Sequence, residues 1–409
     1  MFSRKGLSSR LSVISFVAFV LGLALGFAVP GLFPPISFIG DVYINLLKLI
    51  VVPLLMTEIF CAVFGAAQTV ARRLVGAVLL FAAMFVVSFL LTALVIAIVR
   101  PGVGVEQFAG SFEGTLAAAT LPDFMRSIVP SSILSAMTNG AILPCTLFAF
   151  LMGIAAARTK AERAAAVMDD FRRIFERILS YFMWLTPFGV FTLMGNAAAS
   201  YGTALVGVTA RYVLLAWGCC ALVTVLVMLL PVCVYAKISP IAYIRRVGKI
   251  WLITLSTCSS AATLPHTMRV CNEEFHVPEA ITNIVVPMGC TIHMCGGAVS
   301  FCLLGLFTMQ AAGIPVTLPL FLYMLLVATL MNMAAPGIPG GGIVLGATYL
   351  SILGAPTGFI GVYGGIYRLL DMAYTTVNVT GDITANVLFA EAEKRGKDRQ
   401  TLDRPLENG

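Results

Sequence analysis

The stretch DMAYTTVNVTGD, residues 371–382, lies inside the last long apolar segment of the chain, about 356–390. Wound as a helix, it sets Asp371, Thr375, Asn378 and Asp382 at i, i+4, i+7 and i+11, one narrow stripe with Tyr374 beside it. A carboxylate in the middle of a membrane helix costs about 3 kcal/mol on insertion scales, so two of them must face a cation, an amine or water rather than lipid. A polar clamp between helices would satisfy the same pattern; a ligand-binding stripe is the reading the pattern favours.

The rest of the chain makes a membrane setting the default. Its 409 residues are 59% hydrophobic and only 11% charged, with a mean hydropathy of +0.96. Apolar runs of about 20 residues, the length that crosses a hydrocarbon core, recur along nearly the whole sequence. The fold class expected is all-α and polytopic, with no room for a sizeable soluble domain. The run after Arg4, Lys5 and Arg10 is longer than a signal peptide's apolar core and reads as a retained first span.

The net charge of +7 is not a nucleic-acid footprint, because the basic residues fall in short loops: Arg72 and Arg73, 158–177, 237–249 and 394–404. By the positive-inside rule those loops and both termini face the cytoplasm. The loops at 28–41 and 101–125 carry Asp41, Glu106, Glu113 and Asp123 without an internal Lys or Arg, as expected outside. Ten scattered cysteines match neither a zinc site nor a redox CxxC pair. No cofactor is expected beyond a possible sodium ion.

Six conventional spans fit about 12–33, 39–67, 74–99, 127–157, 174–199 and 204–236. Beyond residue 250 the apolar segments are broken by STCSSAATLP (256–265), TIHMCGG (291–297) and AAPGIPGGG (334–342). Irregular backbone at membrane depth is tolerated only where protein or a water-filled cavity satisfies it. The first and third breaks read as tips of re-entrant hairpins, a pointer to a transporter's substrate site.

These residues, with LKLIVVPLLM (47–56), LPDFMRSIVPSS (121–132), TPFGVF (186–191), GCTIHMCGG (289–297) and NVTGD (378–382), resemble the dicarboxylate/amino acid:cation symporter family. The resemblance implies eight transmembrane helices and two re-entrant hairpins. It implies a homotrimer in the plasma membrane, bacterial inner membrane by expectation, with a scaffold at about 12–67 and 127–236. A transport part at about 74–99 and 240–392 would move against the scaffold, followed by a cytoplasmic tail, 393–409. It further implies that Asp371 receives a substrate ammonium with help from Thr375. Asn378 and the backbone near Ser259, Ser260 and Gly340 would hold the substrate carboxylate. Gly289, Asn378, Asp382, Thr291 and Met294 would hold sodium.

Two departures stand out. Acidic-substrate members carry an arginine where this chain has Tyr374 and a threonine where it has Gly297, and together those residues hold a side-chain carboxylate. Their loss removes the bidentate pairing that would favour aspartate or glutamate, so a neutral or atypical amino acid is expected, with Tyr374 and Gly297 shaping its pocket. Sodium-coupled members also build a further site where this chain has His293, Cys295, Phe81, Met84, Phe85 and Tyr367. Hard sodium prefers oxygen donors, so that site is expected to be missing.

His293 and Glu58 are the candidate proton carriers, each weighed against a structural role. Arg368, one turn before Asp371, is either its ion-pair partner or a substitute substrate cation. The pair His293 and Cys295 suggests neither a metal centre, at two ligands, nor a nucleophile, since no orienting acid is evident. The expectation is a symporter driven by sodium, protons or both, and not an enzyme. The alternatives are an acidic amino-acid or C4-dicarboxylate symporter using Arg368, and an uncoupled channel or sensor.

Overall fold

The computed structural model describes residues 4–67, 71–108, 128–332 and 340–402, and those residues are helical with no strand among them. Helix α1, Arg4–Ala28, stops ahead of Pro30, Pro34 and Pro35, which remove backbone donors. The chain there turns through 114° in two short 3-10 turns. The first helix therefore starts and ends earlier than the 12–33 read from hydropathy. Helices α2, Phe38–Ala67, and α3, Ala71–Val99, match their expected spans closely.

The fourth and fifth spans need correction. The segment read as 127–157 divides into α4, Ile133–Thr138, and α5, Ile142–Arg158. The basic stretch read as a loop is instead α6, Glu162–Phe182, followed by α7, Thr186–Tyr201. Alanine, arginine and glutamate are strong helix formers, and Arg172 is pinned to Asp169 and Glu176 one turn away on either side, both at 2.6 Å. Charge density alone hid that helix.

Helix α8, Ala204–Val223, runs through a wider turn at Thr224–Leu229 into α9, Leu230–Tyr235. Next, α10, Pro240–Thr257, and α11, Ser260–Arg269, fold back on each other. Cys258 at the tip takes a left-handed conformation (φ 49°), and the Ser259 side chain caps α11 by accepting from the Ala262 N–H. Helix α12, Glu279–Ile292, and α13, Cys295–Ala311, are separated by His293 and Met294 in extended backbone. Helices α14, Leu318–Asn332, and α15, Gly341–Ile352, form a second pair, tied by the Tyr349 hydroxyl donating to the Met324 carbonyl at 3.1 Å. The expected tip of that second hairpin, 333–339, lies outside the described residues, as do Glu113, Asp123 and the 121–127 part of LPDFMRSIVPSS.

The last helix, α16, Ile360–Leu402, is the axis of the molecule and packs against α7, α8, α10, α12 and α13. Three side-chain hydrogen bonds bind it to α10: Thr376 with Thr254 (2.8 Å), Thr380 with the Trp251 indole N–H (3.1 Å), and Thr384 with Tyr243 (2.6 Å). Those threonines recur every four residues and so share a face.

Five helical stretches among the described residues are long and apolar enough to cross a bilayer, or six if the bent 14–36 segment counts as one. Three shorter apolar helices accompany them, at 144–158, 318–332 and 341–352. The chain is a multi-pass membrane protein.

Candidate functional site

Asp371, Thr375 and Asn378 of α16 open onto a cavity of ≈ 50 Å³. Its other walls are Cys258 and Ser260 from the first hairpin tip, Met294, Gly297, Ser300 and Phe301 around the break and on α13, and Gly342 and Leu345 of α15. Tyr367 and Tyr374 complete it. Asp371, Thr375 and Asn378 of the stripe and residues of three separate breaks thus converge on one chamber, which Asp382 does not line.

Asp371, Asn378 and Ser300 have backbone or hydroxyl partners, whereas the buried Tyr374 hydroxyl has none among the described residues. Asp371 accepts from the Gly340 N–H on one oxygen (3.1 Å) and from the Thr375 hydroxyl on the other (3.2 Å). Asn378 Oδ1 accepts from the Gly296 N–H at 2.7 Å. Ser300 and Tyr363 share a hydroxyl hydrogen bond at 2.8 Å behind the wall. Arg368 donates to the Ser256 carbonyl at 3.2 Å, at the foot of the first tip, and sits close enough to Asp371 for its charge to act there.

Sequence reasoning missed Asn332. Its amide donates to the Met294 carbonyl (3.0 Å) and accepts from the Met294 N–H (3.3 Å), so a hairpin side chain satisfies the backbone that the helix break exposes. Gly297 faces this amide: a Cβ there would strike it. The space that a missing threonine side chain leaves at Gly297 is thus partly taken by Asn332, and the pocket is narrower on that side than the sequence implied. A lone Asn before a Pro/Gly-rich tip carries no periodic signal that could have flagged it.

A second cluster lies one to two turns along α16. His293 Nδ1 is 2.9 Å from Asp382 Oδ1, and His293 Nε2 is 3.1 Å from Cys295 Sγ. The imidazole stacks on Phe81 at 4.7 Å. An orienting carboxylate for His293 therefore exists, contrary to the sequence reading. The Cys295 thiol it reaches is fully buried and lines no part of the chamber, so the arrangement lacks a place for an acyl substrate. Glu58 is elsewhere, on α2 against Glu176 and Arg172 of α6, and the structure does not bring it to His293 or to the chamber.

A sequence profile of the sodium:dicarboxylate symporter family matches residues 11–392. The chain belongs to that family. It is 28% identical over 402 residues to a C4-dicarboxylate transport protein of Solibacter usitatus, covering 94% of this chain and 92% of the relative. To the protein of that name from Brucella anthropi it is 29% identical, covering 94% and 89%. To the one from Rhizobium leguminosarum it is 28% identical, covering 95% and 90%.

Membership in the sodium:dicarboxylate symporter family raises the question of whether the expected sodium ligands fit an ion. In this symporter they are brought together but spoken for. Asp382 holds the His293 ring, Asn378 Oδ1 holds the Gly296 N–H, and the Gly289 carbonyl accepts the His293 backbone N–H at 2.8 Å. The Thr291 hydroxyl donates back to its own helix at Pro287 and Met288. Met294 offers a soft thioether. The Phe81 ring stacked on His293 adds no oxygen. The donor set does not fit sodium at Asp382.

Proposed function

We propose that this symporter carries a small zwitterionic amino acid with an uncharged side chain, together with a cation. The observation that carries the reading is the charge of the chamber: among the described residues Asp371 is the one carboxylate in its wall, and no lysine, arginine or histidine lines it. A ligand ammonium would complement the Asp371 carboxylate from inside the chamber, where Arg368, which acts on the same carboxylate, is not among the lining residues. Two unit charges 4 Å apart at an effective dielectric of about 20 interact by about 4 kcal/mol, enough to decide between ligand classes. The N-terminus of α11 at Ser260, with the Thr375 hydroxyl, suits a carboxylate at the other end.

In this reading eight transmembrane helices and two re-entrant hairpins form each protomer of a trimer in a bacterial plasma membrane, termini inside. The part at 74–99 and 240–392 moves as a body against 12–67 and 127–236, carrying the chamber across. A thermal-shift screen of the purified protein against the twenty amino acids and C4-dicarboxylates tests the substrate, because a ligand of the folded state raises the melting temperature. Stabilisation by small neutral amino acids, and none by succinate or malate, is the expected result. Gradient-driven accumulation in proteoliposomes separates a symporter from a channel or sensor.

The second reading is a C4-dicarboxylate substrate. It is favoured by the names that the relatives carry and by Arg368 beside Asp371. It requires a guanidinium N–H of Arg368 to reach the chamber and Asp371 to be neutralised, and the same screen decides it.

A further inference from the structure

The ring of His293 sits in a place shaped for it. One face lies on Phe81, with an interplanar angle of 19°, and both ring nitrogens have partners, Asp382 and Cys295. On the side of α16 the residue beside it is Gly381, where a Cβ would come within 2.7 Å of the imidazole Cε1. His293 is 1% exposed and Asp382 2%. An ionised carboxylate oxygen can only accept, so the Nδ1 proton points at Asp382, and such charge-assisted bonds are about twice as strong as neutral ones.

We infer that the chain's own imidazole N–H fills the cation position at Asp382, so that this symporter binds no sodium there. An ion approaching Asp382 would have to displace a 2.9 Å hydrogen bond and unstack a buried ring. Of the oxygens expected to join Asp382 around an ion, Asn378 Oδ1 and the Gly289 carbonyl already accept from other donors. His293 also holds one of the positions that the resemblance assigns to a further sodium site, and its neighbours there are Phe81 and Cys295. One side chain therefore blocks both positions: it fills the second with carbon and answers the carboxylate of the first. This inference is independent of the substrate, and its test needs none.

The full-length protein in detergent is melted in sodium chloride and in choline chloride at equal ionic strength, as wild type, His293→Asn and Asp382→Asn. The expected result is the same melting temperature for wild type in both salts. His293→Asn, which vacates the ring's volume and offers an amide oxygen, melts lower in choline and gains a saturable sodium-dependent rise. A saturable sodium-specific rise in wild type that Asp382→Asn removes would overturn the inference. So would a folded His293→Asn that gains no sodium response. A wild-type rise that persists in Asp382→Asn places the ion elsewhere and upholds it. Should His293→Asn not yield monodisperse protein, the comparison of wild type with Asp382→Asn decides.

Discussion

Asn378 Oδ1 accepts the backbone N–H of Gly296 at 2.7 Å, joining the polar stripe of α16 to the first turn of α13 across 82 residues of sequence. That bond fixes where the helix break sits relative to Asp371. Asn378→Ala strands the Gly296 N–H in a buried site, a loss of about 1–3 kcal/mol. The expected readout is a lower melting temperature and no further rise with substrate. Asn378→Asp keeps the acceptor and adds a negative charge, so it should melt closer to wild type while binding carboxylate ligands less well.

Asp371→Asn tests the charge of the chamber. An asparagine oxygen can still accept from Gly340 or Thr375, so the fold should survive. Loss of about 4 kcal/mol of attraction to an ammonium corresponds to roughly a 10³-fold weaker affinity, measured by thermal shift or competition. If the substrate is a dianion instead, the same substitution removes a repulsion and affinity rises.

Gly297→Ala drives a methyl group into the Asn332 amide. Melting temperature and uptake should both fall. Adding Asn332→Ala should recover part of the loss, because the two residues share one volume; a double-mutant cycle that comes out additive would remove the contact from the explanation.

The threonine rungs between α10 and α16 predict a spectroscopic result. Thr380→Val removes the acceptor of the Trp251 indole N–H, at about 1 kcal/mol net for a hydrogen bond and more if the donor stays buried. Tryptophan emission should shift relative to wild type. Thr376→Val and Thr384→Val should lower the melting temperature by a comparable amount without moving that emission.

How much of this was legible in the sequence depended on the distance over which each signal acts. The stripe Asp371, Thr375, Asn378 and Asp382 was readable because helical periodicity is local, and the break at TIHMCGG because glycine beside polar residues interrupts an apolar run. The rungs at Thr376, Thr380 and Thr384 obey the same spacing and could have been read, but threonine inside a helix more often bonds its own backbone, as these three also do. The pairing of His293 with Asp382 spans 89 residues, and no local pattern announces it. Asn332 was hidden for the same reason, and α6 because a run of arginines looks alike in a loop and on a helix whose charges pair among themselves.

Asp371 and Asp382 ride on one unbroken helix, about 16 Å apart along its axis and riveted to α10 by the rungs between them. They have no freedom to shift against each other. The two residues of the break divide between them: Met294 lines the chamber beside Asp371, while His293, its immediate neighbour, is bonded to Asp382. A single peptide unit is therefore the shortest route by which occupancy of one place can be felt at the other. Whatever free energy a ligand lends to the geometry of that peptide, the neighbouring cluster must return in equal measure, since thermodynamic linkage between two sites runs both ways.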